Sequence, residues 1–511
     1  MTTPPVLDAL RDALGDAVST TDAVLADARS DKSGHVSDAP PIAVVSARSI
    51  EDVQTVMRIA TATGTPVVTR GAGTGLAGGA LGGAGEIVLS TLAMQRVLEI
   101  NEPDLLAVVE PGIINGAFND LLLARGLWFA PDPASRAIST VGGNIATGAG
   151  GLLCAKYGVT RDAVLALKVV LADGRLISVG HRSVKGVTGL DLTSLMVGSE
   201  GVLGVIVEAT VRIRRVTPGT VATIAGYFPS VVSAAEATAA VTASGVQPSI
   251  MELLDPVALV AVHRYLQLPT PTSGEAHVVI QTDGPNAEAE AAAILDVLHA
   301  GGGRAEMSTD HATGEHLLAV RRALHPSLEQ FGTPLIEDVS VPRSQLAAMF
   351  TAIGEIERRY GISIPTVAHA GDGNLHPNFV FEGSRYQTSS GRPPTTSSPP
   401  HCGSAVPSPA STASACSRSA GSATSSARIS SRSSTGSSGS STPRTSSTRA
   451  RCSETLRQAQ GPEQAPKTAT GPGSGRIRSL SLSKGVTRAM PVGRRPARAP
   501  REPAGARERG R

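Results

Sequence analysis

Pro66-Val-Val-Thr-Arg70-Gly-Ala-Gly-Thr-Gly75 is the stretch on which the fold turns: a short β-branched run that passes straight into glycines, with Gly78-Gly79 close behind. The Val/Thr run predicts a strand. The glycines after it bare backbone N–H groups, forming a nest of the kind that cradles a pyrophosphate. One glycine loop often serves turn geometry alone. Here it opens an ordered series: Pro131-Asp-Pro133, Thr140-Val-Gly-Gly-Asn144, Gly150-Gly151, Lys156-Tyr157-Gly158, Gly198-Ser-Glu-Gly201 and Leu203-Gly204 follow.

Around this loop the chain reads as α+β. Leu, Ala and Val spacing predicts one or two helices within residues 1–34. Pro41 to Ala47 reads as a strand, and Ser49 to Ala62 as a helix with Ser49 as N-cap and Asp52 on the capping-box position. Ile87–Ser90 and Ala107–Val109 predict strands, and Asn115–Ala124 a short helix. Ala163–Val179 predicts a hairpin turning at Asp173-Gly174, and Val202–Ile213 a buried strand. After Pro218, Ala-rich helices (Val232–Ala243, Asn286–His299, Ser344–Arg359) alternate with short strands (Ala276–Gln281, Leu335–Val341, Thr366–Ala368), the texture of a second α+β domain.

The 511 residues carry a formal net charge of +3, but this averages two unlike parts. From Tyr386 to Arg511 there are 20 Lys and Arg against 4 Glu, so residues 1–385 hold 26 basic and 39 acidic groups. The basic pI belongs to the C-terminal part, and nucleic-acid binding does not follow from it. No aromatic side chain follows Tyr386 to stack on bases. Cys154 stands alone before the tail, which holds Cys402, Cys416 and Cys452. That distribution excludes a disulfide framework and fits a reducing cytosol. No basic-then-apolar leader opens the chain and no apolar run reaches membrane-spanning length, so a cytoplasmic location is expected.

Late in the chain, His369-Ala-Gly-Asp-Gly-Asn-Leu-His376 sets two imidazoles around a turn that Asp372 shapes. Lone histidines are usually structural, whereas a pair flanking Gly-Asp-Gly-Asn favours metal ligation. Neutral imidazoles suit a divalent transition metal, which polarises a substrate hydroxyl as a Lewis acid. A guanidinium fork such as that of Arg321 suits a carboxylate. The bland alternative for Arg321, beside Arg322, is an ordinary solvated helix face.

The ordered glycine set, from about Pro41 to Arg214, resembles the vanillyl-alcohol-oxidase-type flavoproteins, which hold FAD in a two-part α+β domain of the PCMH type. The resemblance implies that Arg70, Gly71, Ala72, Gly73, Thr74 and Gly75 take the pyrophosphate. It further implies that Pro131, Thr140, Gly142, Gly143, Asn144, Gly150, Gly151, Tyr157, Gly158, Glu200, Gly201 and Ile206 line the adenosine and isoalloxazine. One departure is Gly148, where relatives carry Asn ahead of Ala-Gly-Gly, and a loosened flavin contact is expected there. Some relatives tether FAD through a His in or near the first loop. None lies between Arg70 and Ala80, so non-covalent FAD is expected.

Leu317-Leu-Ala-Val-Arg321, Glu337-Asp-Val-Ser-Val-Pro342 and the His369–His376 motif look like the FAD-linked D-lactate dehydrogenase and glycolate oxidase subunit group. In that group the histidines match metal ligands, with zinc or manganese expected; Arg321 falls at a carboxylate-binding position and Asn378 at a polar substrate contact. The resemblance implies oxidation of a small D-2-hydroxy acid to the 2-keto acid by hydride transfer to FAD. The electron acceptor stays open among a quinone, a cytochrome and a partner subunit, through which the protein would sit peripherally at a membrane. A dimer is among the open oligomeric states. The expected organisation is an N-terminal helical segment (1–40), an FAD-binding domain (41–217), an incomplete substrate or cap domain (218–385) and a disordered, low-complexity tail (386–511).

From Tyr386 onward Ser, Thr, Pro, Ala and Arg dominate and apolar periodicity ends, the composition of a disordered basic tail. The genetic code offers a sharper reading. With the frame displaced so that each codon takes the last base of one and the first two of the next, Ser408 to Cys416 permits Thr-Gly-Glu-His-Gly-Val-Gly-Leu. This is the group's second signature, whose Glu completes the metal site and whose His is the catalytic base. Thr395 to Pro407 likewise permits an amphipathic helix and strand entry, and Ser441 to Ser453 the group's usual ending, followed by a stop. A frame change between about Phe381 and Thr395 is therefore expected, with the Glu and His falling where Ser411 and Thr412 stand. The alternatives are a flavin-binding pseudoenzyme and a non-redox relative acting on ether-lipid precursors.

Overall fold

The computed structural model describes residues 5–381. The segment from Tyr386, with Ser411, Thr412 and the frame-change reading, lies outside the described residues.

Helix Ile50–Thr63 shows how local chemistry builds the first layer. Ser49 Oγ accepts from the Asp52 N–H at 3.1 Å. The Asp52 carboxylate takes the Arg48 N–H at 2.8 Å, one residue earlier than a capping box would require. Gly64 closes the helix in the left-handed conformation. Val53, Val56, Met57 and Ala60 form its buried stripe and pack on Val45, Ile87 and Leu89. Those residues belong to a four-stranded sheet in which Ala43–Ser46 and Val67–Arg70 both pair in parallel with Ile87–Ser90, while Val18–Ser19 adds an antiparallel edge.

A second sheet is wholly antiparallel, in the order Val97–Asn101, Leu106–Val109, Val205–Arg212, Val164–Val170, Leu176–Gly180. The predicted hairpin supplies its last two strands. Val97–Asn101 was not expected, because its Glu99 and Asn101 mask the apolar alternation. Helix Asn115–Leu123 packs Phe118 and Leu122 beneath this sheet with Phe129 and Ile145.

Beyond Thr217 the chain builds a larger antiparallel sheet, ordered Arg304–Ser308, Thr220–Phe228, Ala276–Gly284, Ile250–Leu254, Thr366–His369, Asn374–Phe381, Thr333–Ile336. Strand periodicity divides it into two faces. Met251, Leu253, Val278, Ile280 and Ala368 join helices Val231–Ala243, Ala287–Ala300 and Leu346–Tyr360 in one core. Leu254 and Val367 face the other way, against helices Pro256–Tyr265, His311–Arg322 and Leu324–Glu329.

The strand expected over Leu335–Val341 is interrupted. Thr333–Ile336 and Val339–Ser340 both pair with Asn374–Phe381 in one register, and the gap at Glu337-Asp338 falls opposite Pro377, which has no N–H to give the ladder.

Candidate active site

Three glycine segments far apart in sequence meet in space. The first loop leaves the C-terminal end of strand Val67–Arg70. The backbone N–H groups from Gly71 to Gly79 have no acceptor among the described residues. The Arg70 guanidinium is bound to the carbonyls of Ser30 (2.8 Å) and Ala80 (3.0 Å), so it ties the ends of the loop together. Gly71 lies so close to Thr140 that an added Cβ would stand 2.5 Å from Thr140 Oγ1. The same Oγ1 accepts from the Gly143 N–H at 3.1 Å, capping helix Val141–Thr147. From the third segment, the Gly198 N–H reaches Ile145 O (3.0 Å) and the Glu200 N–H reaches Ala146 O (2.8 Å). A Cβ on Gly79 would stand 3.1 Å from Glu200 Oε2.

The result is a cradle floored by close-packed glycines and lined with free N–H donors, the chemistry a pyrophosphate needs. Asn144 sits beneath it in a buried network, its Oδ1 accepting from Asn115 Nδ2 at 3.3 Å, while Asn115 also donates to Pro131 O. Ile206 is buried in the core of the antiparallel sheet opposite Val169. Gly148 ends helix Val141–Thr147 at φ +64°. Asn is the other residue that adopts this left-handed conformation readily, so the departure from relatives keeps the backbone intact.

The second site is built on hairpin strands Thr366–His369 and Asn374–Phe381. His369 pairs with Asn374 and Val367 with His376, which makes the two histidines diagonal neighbours on one face. Their rings stand edge to face with centroids 5.2 Å apart. His369 Nδ1 is 2.7 Å from Glu252 Oε1, and Arg321 Nε donates to Glu252 Oε2 at 2.6 Å. Glu252 is fully buried, while the side chains of Arg321 and His369 are 14% and 15% exposed. The solvated-face alternative holds for Arg322, which is half exposed and paired with Glu315, but not for Arg321.

Burial works against a charge on Glu252, yet His369 and Arg321 more than offset it and hold its carboxyl below the usual range. Burial also disfavours a charged His369, and Glu252 outweighs it to raise that imidazole. Burial and the neighbouring His369 push His376 down. Its Nδ1 is buried with no hydrogen-bond partner among the described residues, and Asp338 is 4.0 Å away. Asp372 accepts from the Asn374 N–H at 3.0 Å, as a turn-shaping residue should. The Asn378 amide donates to Pro365 O (3.0 Å) and His376 O (2.8 Å), so both its hydrogens hold the hairpin.

Sequence reasoning missed Glu252 and Asp132. Glu252 is a lone acid within the apolar run Ile250-Met-Glu-Leu-Leu254, and that anomaly was its signal. Asp132 lies between Pro131 and Pro133 and accepts from the Leu153 N–H at 3.1 Å. Burial pushes its carboxyl up to about 7, with Arg136, Glu252 and His369 near enough to act on it.

Two family models match the chain in sequence: an FAD binding domain over residues 41–180, and the C-terminal domain of FAD linked oxidases over residues 217–390. The glycolate oxidase subunit GlcD of Bacillus subtilis is 38% identical over 342 residues, covering 66% of this chain and 72% of that one. The D-lactate dehydrogenase of Archaeoglobus fulgidus is 35% identical over 347 residues, covering 66% and 76%. The D-2-hydroxyglutarate dehydrogenase of Stutzerimonas stutzeri is 31% identical over 391 residues, covering 74% and 83%. Among solved structures, p-cresol methylhydroxylase with substrate bound superposes with a TM-score of 0.61 at 17% identity, over 74% of this chain and 82% of that one. An alkyldihydroxyacetonephosphate synthase superposes equally well at 19% identity, over 74% and 80%. These structural likenesses establish the vanillyl-alcohol-oxidase-type fold. On the sequence matches to both of its parts, the chain belongs to the FAD-linked oxidases, in the group of the glycolate oxidase GlcD subunits and the D-lactate dehydrogenases.

Proposed function

We propose that this protein is built to oxidise a small D-2-hydroxy acid of the lactate or glycolate type to the 2-keto acid, with non-covalent FAD as the immediate oxidant. The observation that carries this reading is the buried carboxylate of Glu252 holding Arg321 on one oxygen and His369 on the other, beside His376. Arg321 is engaged through Nε, which leaves its two terminal amino groups to bind a substrate carboxylate as a fork. Glu252 fixes the His369 ring through Nδ1 and so directs Nε2 outward, the orientation a carboxylate gives a ligating histidine. The orphaned Nδ1 of His376 is the second donor of this set. The pair fits a divalent metal, zinc or manganese, though no group of three His, Cys, Asp or Glu side chains suited to a metal occurs among the described residues. When bound, FAD supplies the acceptor for the α-hydrogen and its electron pair, and the metal supplies polarisation of the hydroxyl. Asn378, two residues after His376 on the same strand, is assigned the polar substrate contact, for which its amide oxygen would serve. The acceptor that reoxidises the flavin is a quinone, a cytochrome or a partner subunit.

The base that removes the hydroxyl proton belongs to the Gly-Glu-His-Gly signature expected from the frame change. With Ser411 and Thr412 in its place, turnover by the 511-residue chain is impaired; the alternative reading is a flavin-binding pseudoenzyme with no turnover. Dye reduction with D-lactate and glycolate tests this on the chain and on a version with the frame restored. Dye reduction by the restored version alone supports the reading. Equal turnover by both removes the role given to the lost base, and no turnover by either removes the substrate class. No helix among the described residues is long and apolar enough to cross a membrane.

A further inference from the structure

The short helix Cys154–Tyr157 lies where the two sites meet and touches both. On the cradle side, the Gly151 N–H donates to Cys154 Sγ at 3.1 Å. On the other side, Ala155 packs against Gly371 of the histidine hairpin, where an added Cβ would stand 2.5 Å from Ala155 Cβ. Leu152 and Leu153, just before the helix, pack on Ile250, Val279 and Leu318, one turn ahead of Arg321. At its end, Lys156 Nζ and Tyr157 Oη bind the two carboxylate oxygens of Asp283, and Nζ also donates to Asp283 O at 3.2 Å. Asp283 stands near the end of strand Ala276–Gly284, in the larger antiparallel sheet beyond Thr217. The Tyr157 ring meets Trp128 edge-on with centroids 4.8 Å apart, and the Arg214 guanidinium lies 5.2 Å from its centre.

A four-residue helix cannot hold itself, because one turn does not offset its own nucleation. The conformation of Gly150-Gly151 and of Lys156-Tyr157-Gly158 must therefore be imposed by what the helix touches. Its ion pair is the one to Asp283, with both partners 21% exposed, and the Arg214 guanidinium adds a hydrogen bond to Tyr157 O at 3.2 Å.

We propose that Asp283 is a positioning residue for the flavin cradle, whose hold on Lys156 and Tyr157 makes FAD binding and docking of the substrate-side sheet one coupled equilibrium. The proposal rests on the flavin reading above. Losing Asp283 strands the Lys156 ammonium in a partly buried site and frees the segment that Gly151 anchors. A contact that merely held two domains together would lower the melting temperature and leave the bound flavin as it was.

The test titrates FAD into the apo-protein, reading affinity from quenching of flavin fluorescence and the pocket from the visible circular dichroism of bound flavin. Trp128, the single tryptophan of the chain, reports the clamp. Asp283→Ala should weaken FAD binding about tenfold or more, alter the flavin dichroism and red-shift Trp128 emission. Asp283→Asn, which keeps an acceptor, should recover part of each. If Asp283→Ala does not fold, the double variant Lys156→Met/Tyr157→Phe removes the same bonds with little change of volume and should weaken binding similarly. Wild-type affinity and unchanged dichroism in the folded variants, even with a lower melting temperature, would overturn the proposal while leaving the flavin reading intact. Wild-type protein that binds no FAD would overturn both.

Discussion

Glu252 and His369 sit directly opposite each other on neighbouring antiparallel strands, and Glu252 Oε1 lies 2.7 Å from His369 Nδ1. With Arg321 on its other oxygen, one buried carboxylate sets the direction of both groups assigned to substrate and metal. Glu252→Ala leaves two cationic or polar groups facing an empty interior. Breaking a buried pair in this way costs on the order of 3–5 kcal/mol, so urea unfolding should show a large loss for Glu252→Ala and a smaller one for Glu252→Gln. A loss below about 1 kcal/mol would mean that solvent already screens the triad.

His277 makes the second part sensitive to acid. It is fully buried, its Nδ1 lies 3.1 Å from Gly226 O, and its Nε2 has no partner among the described residues. Burial pushes its pKa from 6.5 down to about 4. Between those values the unfolded chain binds the proton and the folded chain does not, so stability falls as pH drops from about 6.5 towards about 4. The full loss is about 3 kcal/mol, and above pH 6.5 this group adds no slope. His277→Phe should flatten stability against pH in that window; an unchanged slope would assign it to other groups.

Asp255 joins helix Pro256–Tyr265 to the strand that carries His369. One carboxylate oxygen caps the helix at the Ala258 N–H (2.7 Å), and the other accepts from the Thr366 N–H (2.8 Å). Asp255→Ala should cost about 2 kcal/mol, combining a lost cap with an unsatisfied buried N–H. Asp255→Asn, which keeps one acceptor, should cost roughly half. Thermal melts of the two variants decide this, and equal melting temperatures would contradict it.

Gly71→Val should abolish FAD binding. Its Cβ would meet Thr140 Oγ1 at 2.5 Å and push the first loop off helix Val141–Thr147. Equilibrium dialysis against FAD measures this, and retained affinity would place the cofactor away from the meeting point of the two segments.

Much of this architecture was legible in the sequence wherever one residue type governs the local outcome. Ser49 and Gly64 bound their helix, the Asp173-Gly174 turn joins its hairpin, and the glycines after Arg70 mark the cradle. Val97–Asn101 and Ile250–Leu254 were hidden because polar residues within them are matched by partners distant in sequence, Arg182 for Glu99 and Arg321 with His369 for Glu252. The roles of Asp132 and Asp283 were equally invisible. Each acts on the segment between Gly151 and Tyr157 from another part of the chain, and no periodicity records such a meeting. The split of the expected Leu335–Val341 strand has a local cause, but the cause sits on the partner strand at Pro377.

The proposed reaction passes the α-hydrogen of a D-2-hydroxy acid to FAD. Its most direct test is anaerobic mixing of D-lactate or glycolate with the FAD-loaded, frame-restored protein, following the visible flavin absorbance, with L-lactate and the FAD-loaded 511-residue chain as controls. Stoichiometric bleaching by D-lactate or glycolate is expected, with none by L-lactate and bleaching slower by on the order of 10²–10⁴ in the 511-residue chain, where Ser411 and Thr412 stand in place of the proposed base. A restored protein that binds FAD but is bleached by neither D-lactate nor glycolate, or is bleached equally by both enantiomers of lactate, would contradict it.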